Sequence, residues 1–383
     1  MNKKYSPLFN PFTFRSGVEV KNRLLMAPMT TFSADEQDYV SDAELAYYEK
    51  RADGVGVVIT ACAYVSKGGK GFEGQMAIDC DETIPRLTLL ANTIQQKGAK
   101  AVVQIYHGGR IAVPALIPNG ETVSASSVAP LLDRGFYSID QAPKALTHTE
   151  VLDIIKDFGD ATRRAIEAGF DGVELHGASG YLLQQFYSPH SNIRDDEWGG
   201  NETKRLAFSL AIIDEVKRVV KEYAEKPFLV GYRFSPEEPE TPGITMKETN
   251  TLMDTLIEKE LDYLHLALTD AWSKPRRGIV SDKSRTEILA DYIAGRVPLI
   301  GVGSIQTAED ALQVMTKANV PFVSIGRALI MDPKWVEKIA QGEEQSIVRE
   351  IQQDKQQELT IPDPLWQLIC TVDGWFPLEK VTS

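Results

Sequence analysis

Cysteine is scarce in this chain of 383 residues, which has only Cys62, Cys80 and Cys370. They lie far apart, are odd in number and form no CxxC pair, so a zinc knuckle and a cysteine-ligated iron–sulfur cluster are excluded and no metal is expected. Long apolar runs are also missing. The most apolar stretch, residues 54–65, is too short to cross a bilayer. The N-terminal MNKKYSPLFNPFTF lacks the apolar core of a signal peptide. Positive charge is in deficit, with Lys and Arg at 41 against Asp and Glu at 54, a net −13. That balance argues against nucleic acid or an anionic membrane as the main partner, though a local basic pocket could hold one phosphate. The expectation is a soluble, cytoplasmic protein. Hydrophobic residues at 43% and charged residues at 25% are ordinary globular values, which excludes disorder, collagen and coiled coil.

What is present is a repeat of short β-rich runs and longer amphipathic segments. Strands are expected over residues 23–26, 55–60, 101–105, 172–175, 228–233, 263–267, 299–302 and 322–325. Several are continuously apolar, as suits parallel strands covered on the outside by helices. Helices are expected over 42–51, 84–97, 149–168, 202–223, 246–260, 307–317 and 333–341, with 285–294 the weakest of the eight. Thr147 and Glu150 have capping-box spacing, and Gly54, Gly98 and Gly169 fall where helices should stop. Eight β–α repeats favour an α/β fold of the closed (β/α)8 TIM-barrel kind, with an open doubly wound sheet as the alternative. Two stretches fall outside the repeat. Residues 108–143, rich in Pro, Gly and Ser, read as a long loop after strand three. The tail contains IPDPLWQLICTVDGWFP, with Trp366 and Trp375 as aromatic anchors. The chain thus divides into a barrel over residues 1–345 and a C-terminal extension over 346–383.

In such a barrel the chemistry lies at the C-terminal strand ends. Those ends carry Ala27-Pro28-Met29-Thr30, Gln104 with His107, His176 with Ser179 and Tyr181, Arg233, Gly303-Ser304 and Gly326-Arg327. Nearness to solvent explains polarity there, but not an arginine inside FLVGYRF. The segments LIGVGSIQTAEDAL and FVSIGRALIMDP each place a glycine turn before a helix, and Arg327 adds a permanent charge. Either turn alone reads as a turn; together, after strands seven and eight, they favour a phosphate site. No strand–GxGxxG–helix unit supports a Rossmann nucleotide site. Tyr181 and His176, each taken singly, read as packed or hydrogen-bonded residues rather than catalysts, and His265 is as open to packing as to function.

The chain resembles the old yellow enzymes, FMN-dependent ene-reductases among the NADH:flavin oxidoreductases. The likeness is carried by KNRLLMAPMTTFS, VVQIYHGGR, AGFDGVELHGASGYLLQQFYSPHSNIRDDEWGG, VGYRF, VGSI and SIGRALIMDP, in the family's order. The block around Tyr181 is highly specific. The resemblance implies an FMN-binding barrel using NADH or NADPH as electron donor. Ala27, Pro28, Met29 and Thr30 would pack the first strand against the flavin, and Cys62 would lie beside the ring. Gln104 would meet the pyrimidine edge. Arg233 would stand beside N1, where a fixed cation stabilises the reduced flavin. Gly303, Ser304, Gly326 and Arg327 would cradle the phosphate. His176 would hold the substrate's carbonyl oxygen, and Tyr181 would protonate its α-carbon. A phenol suits that role, since a reference pKa of about 10 keeps it protonated at neutral pH.

Departures accompany the matches. Ser179 stands where the family has a second His or Asn beside its substrate-binding histidine, so the two-donor clamp is weakened or bridged by water. Thr30 replaces one subgroup's redox-sensing cysteine, so no thiol regulation is expected there. The tail could cover its own active site or a neighbour's, which leaves a homo-oligomer open. The implied activity is reduction of activated C=C bonds, in enones and also nitro compounds or quinones. Two rivals stand beside it: another FMN barrel dehydrogenase, and a flavin-binding sensor or ligand-sequestering protein with weak turnover.

Overall fold

The computed structural model describes residues 2–131 and 141–379. Eight parallel strands close into a barrel in chain order. They are β1 (Leu24–Met26), β2 (Val57–Tyr64), β3 (Lys100–Tyr106), β4 (Gly172–Gly177), β5 (Leu229–Phe234), β6 (Tyr263–Leu266), β7 (Leu299–Val302) and β8 (Phe322–Ile325). The covering helices are α1 (Asp42–Arg51), α2 (Ile84–Gln95), α3 (His148–Glu167), α4 (Ala207–Tyr223), α5 (Met246–Glu258), α6 (Arg285–Ile293), α7 (Ala308–Lys317) and α8 (Trp335–Gln341). The fold is therefore the (β/α)8 barrel that the repeat predicts. Every residue of β1, β2, β4, β6, β7 and β8 is buried, as required when helices cover the outside and side chains fill the inside.

Local signals explain most boundaries. Thr147 Oγ accepts from the Glu150 N–H at 3.3 Å while the Glu150 carboxylate accepts from the Thr147 N–H at 2.8 Å, closing the capping box that starts α3. The helix weakest in sequence, α6, starts with an equally complete box, Ser284 with Glu287. The segment read as one helix over 202–223 is two, Glu202–Arg205 and α4, with buried Leu206 between them. β2 runs to Tyr64, beyond the expected 60, because a register shift between Ile59 and Cys62 lets pairing with β3 resume.

Additions close both ends. At the N-terminal end Phe12–Thr13 pairs with Glu19–Val20, and Phe12 and Phe14 pack on Phe322. The long loop after β3 holds three short 3-10 turns and a two-residue pairing of Val123–Ser124 with Lys144–Ala145; its residues 132–140 lie outside the described residues. The tail lies on its own barrel. Ile361, Leu365, Ile369 and Phe376 are buried in the main apolar cluster, with Trp366 and Trp375 packed against it. Arg51, at the end of α1, is buried and donates to the carbonyls of Tyr47 at 2.9 Å and Leu359 at 2.6 Å. Burial lowers its pKa to about 10. Among the described residues no helix is long and apolar enough to cross a membrane.

Candidate active site

Strand register assembles the site. Cys62 on β2 stands opposite Gln104 on β3, and Gln104 opposite Glu174 on β4. His176 stands opposite Arg233 on β5, and Arg233 opposite His265 on β6. Residues 104, 174 and 176 share the inward face by the two-residue period of a strand. Beyond β4 the chain turns through Ser179 and Gly180 with positive φ and enters a short helix, Leu182–Tyr187. That turn brings the Tyr181 ring edge-on to His176 at 4.8 Å and to Tyr106 at 4.5 Å. Cys62, Tyr64, Phe72 and Tyr106 form the apolar bed on which Tyr181 and Phe32 pack.

The protonation states follow from surroundings. Burial, with the Arg233 and His265 charges second, pushes the His176 pKa well below the usual imidazole range. Its Nδ1 accepts the Ala178 N–H at 3.4 Å, so the neutral ring carries its proton on Nε2 and offers a donor. Burial raises the Cys62 thiol to about 12, so it stays protonated, with Gln75 donating to its carbonyl at 3.2 Å. His107 is likewise buried, pushed down to about 4, and its Nδ1 accepts the Gly109 N–H at 3.0 Å, shaping the turn rather than facing chemistry.

Below these lies a buried polar network. Glu174 accepts from Gln104 Nε2 at 2.7 Å through one oxygen and pairs with His265 Nδ1 at 2.9 Å through the other. Burial alone would raise the Glu174 pKa, but His265, Arg233 and Gln104 together hold it below the usual carboxylate value. Arg233 is pushed down by burial and supported by Glu174. A guanidinium remains cationic under such a shift.

Pro28, Met29 and Thr30 follow β1, partly exposed, while Ala27 is buried and donates its N–H to the Ile325 carbonyl at 2.8 Å. The two glycine turns adjoin this strand and the loop after β6. A Cβ on Gly326 would lie 3.2 Å from Met29 Sδ, and one on Gly303 would lie 2.7 Å from the Ala271 nitrogen. Ser304, at φ 52, donates its hydroxyl to the Thr269 carbonyl at 2.8 Å. The turn after β7 does not run directly into a helix: α7 begins beyond Thr307, whose capping box with Asp310 occupies its first N–H groups. Arg327 donates to the Trp375 carbonyl in the tail at 2.8 Å. Ser179 also departs from expectation. It is exposed, its N–H donates to Ser235 Oγ at 2.9 Å, and the helix starts only at Leu182. His176 and Ser179 therefore do not stand one helical turn apart.

These residues suit a flavin. Arg233 Nε is buried without a hydrogen-bonding partner among the described residues, and the Gln104 amide nitrogen is committed to Glu174, which turns the amide oxygen away from that carboxylate. The bare glycine backbone at the ends of β7 and β8 admits the protein's own chain, the loop at Asp270–Ala271 beside Gly303 and the Met29 side chain beside Gly326. Sequence reasoning named these groups but missed Glu174. The signal was there, a charged residue two before His176 in the apolar run GVELHG.

Residues 7–346 match the model of the NADH:flavin oxidoreductase / NADH oxidase family. The chain is 52% identical over 379 residues to the probable NADH-dependent flavin oxidoreductase YqiG of Bacillus subtilis (strain 168), covering 99% of this chain and 100% of that protein. It is 41% identical over 366 residues to the NADH:fumarate oxidoreductase of Klebsiella pneumoniae (strain 342), covering 94% of this chain but 38% of that longer protein. The solved structure of morphinone reductase in complex with tetrahydroNAD superposes with a TM-score of 0.74 at 25% identity, over 88% of this chain and 91% of that one. Fold, family model and relatives agree: the chain belongs to the NADH:flavin oxidoreductase / NADH oxidase family, in its old yellow enzyme branch, and is an NAD(P)H-dependent FMN oxidoreductase.

Proposed function

We propose that this protein reduces an activated C=C bond, with His176 holding the electron-withdrawing group and Tyr181 supplying the proton. The observation that carries the reading is the convergence of a neutral, Nε2-protonated His176 and the edge-on Tyr181 above Arg233. FMN, when bound, supplies the redox chemistry, taking hydride from a nicotinamide and giving it to an electron-poor carbon. Ala27 to Thr30 and Cys62 would flank the ring, Gln104 and Arg233 its pyrimidine edge, and Gly303, Ser304, Gly326 and Arg327 its phosphate. His176 donates to the substrate's carbonyl or nitro oxygen and so favours the charge that develops there. Tyr181 delivers its proton to the α-carbon, and its ring packing on Tyr106 fixes the direction of delivery. A groove of about 650 Å³, lined by Phe32, Asp38, Lys70, Gly74 and Leu368, adjoins the site through Phe32, so the tail helix Asp363–Thr371 walls the approach.

A small-molecule substrate, no nucleic-acid partner and a cytoplasmic location belong to the same reading, and the net charge of −13 supports the second of these. The test is anaerobic. Purified protein loaded with FMN is reduced by NADH or NADPH, then mixed with a panel of enones, nitroalkenes and quinones. Saturated product formed at the rate of flavin reoxidation is the expected result. A charge-transfer colour with phenol but no product would favour the flavin-binding sensor instead.

A further inference from the structure

The buried network below the site has a property that neither packing nor the hydride chemistry requires. An ionised carboxylate only accepts hydrogen bonds, so the Gln104 amide that meets Glu174 must present its nitrogen. The orientation of Gln104 is thus fixed by charge, with the amide oxygen left facing away. His265 closes the other carboxylate oxygen at 2.9 Å, and both partners are fully buried, at 0% exposure. Between them on β5 stands Gly231, where a Cβ would lie 2.1 Å from the Tyr263 ring, so this layer has no room for another side chain. Glu174 is also the carboxylate that offsets the Arg233 cation.

We propose that Glu174, braced by His265, is a positioning residue for the flavin: it turns the Gln104 amide oxygen toward the ring's N–H and sets the net charge beneath the pyrimidine edge. This rests on the FMN reading of the site. A flavin's pyrimidine edge alternates acceptor, N–H donor and acceptor, and only an oxygen-presenting Gln104 matches its centre. Two-electron reduction places negative charge on the same ring, so Arg233 favours the reduced form and Glu174 opposes it. The pair holds the potential at an intermediate value, where a nicotinamide can reduce the flavin and the flavin can still reduce substrate.

The experiment is to measure reduction potential and FMN affinity in wild type, Glu174→Gln and Glu174→Met. Glu174→Gln keeps the shape and can still accept from Gln104 but removes the charge. Its oxidised-to-reduced equilibrium should shift roughly tenfold toward reduced flavin, about 30 mV more positive for a two-electron couple, with FMN affinity within about threefold of wild type. Glu174→Met frees the Gln104 amide as well, so its potential should also rise and its FMN affinity should fall roughly tenfold. A residue that only filled the barrel would leave the potential unmoved in both. An unchanged or more negative potential in Glu174→Gln, or loss of its FMN binding, overturns the proposal. If wild type itself bound no FMN, the reading of the site would fail before that of Glu174.

Discussion

At the N-terminal ends of the strands, Phe14 stacks on Phe322 at 5.1 Å, Phe12 meets both edge-on, and Tyr263 lies against Phe14 at 6.1 Å. At the C-terminal ends of the same strands, His176, Tyr181 and Arg233 converge. Ser179 and Ser304 adopt left-handed backbone there, and Arg233 and Tyr106 bury polar atoms without hydrogen-bonding partners among the described residues. One end is mainly ring against ring, with the Tyr263 hydroxyl its one orphaned buried polar atom among these rings; the other gathers charged and titratable groups that a folded core would normally exclude. The difference teaches where each kind of energy sits. Titratable side chains converge where a ligand is to be held, whereas left-handed backbone occurs at both ends, with Glu260, Ala294 and Asn319 preceding β6, β7 and β8.

The sharpest way to break that comparison is Tyr181→Phe. The ring is kept, so its packing on His176 and Tyr106 and the folding stability should hold, with Tm within a degree or two of wild type. Flavin reduction by nicotinamide involves no proton to substrate and should run at the wild-type rate. Reoxidation by an enone should slow by about 10²–10⁴-fold, the usual worth of a general acid. Stopped-flow absorbance of each half-reaction reads this directly. Equal slowing of both halves would make Tyr181 a packing residue like Phe14.

Phe14→Ala is the mirror test. Phe14 is 2% exposed inside the plug, so truncation should cost about 3–5 kcal/mol of stability through lost burial and a cavity. Turnover per folded molecule should change little, because Phe14 packs on Phe12, Phe322 and Tyr263 and reaches the site only through Tyr263. Denaturant melts together with active-site titration separate the two. A loss of kcat at constant folded fraction would show that the two ends are coupled.

Glu44 lies between these extremes. It is buried in the capping box of α1 and accepts the Thr31 hydroxyl at 2.6 Å, just behind the loop that carries Thr30. Burial raises its pKa from 4.5 to about 7. A carboxyl that holds its proton more tightly when folded contributes most below the unfolded value, and that contribution falls as pH rises from 4.5 to about 7. Glu44→Gln should therefore be more stable than wild type above pH 7, by about 3 kcal/mol at most, with the gap closing by pH 4.5. Urea melts at pH 5 and pH 8 decide it. A constant gap would mean that Glu44 stays ionised in the fold.

How far the sequence spoke is clearest from residues that share one signal. Arg233 in FLVGYRF stood out as a charge within an apolar run, and the structure places it inside the barrel end. Glu174 in GVELHG and His265 in YLHLAL carry the same signal, yet their pairing across β4 and β6 needs the barrel's closure to be seen. The eight strands were legible because buried parallel strands are continuously apolar. The extension of β2 to Tyr64 was not, since a register shift depends on its partner strand rather than on local composition. Arg51 misleads in the opposite way. A basic residue in a helix's last turn reads as a solvated partner of the dipole; here it is buried and holds the tail through Leu359. Only the tertiary course of the tail reveals that.

The smallest expected effect concerns Ser179, where the two ends of the comparison differ least in energy and most in meaning. Its backbone is left-handed, at φ 58, a conformation in which Asn and His are enriched over other side-chain-bearing residues. Ser179→Asn should therefore fold without loss, unlike a truncation in the plug. Ser179 is exposed, so its substitution creates no cavity and buries no unmatched amide. The longer side chain gains reach toward the oxygen that His176 holds. One added donor is worth about 0.5–1.5 kcal/mol, so phenol should bind roughly two- to tenfold tighter, seen as a stronger long-wavelength charge-transfer band at fixed FMN content. Because the turn separates Ser179 from His176 and no helix aligns them, the gain should fall toward the lower end of that range. Phenol titrations of wild type and Ser179→Asn read it. Unchanged binding would place residue 179 outside the substrate's reach and leave His176 as the donor on which the carbonyl depends; weaker binding would mean that the pocket is shaped around serine to admit a bulkier group.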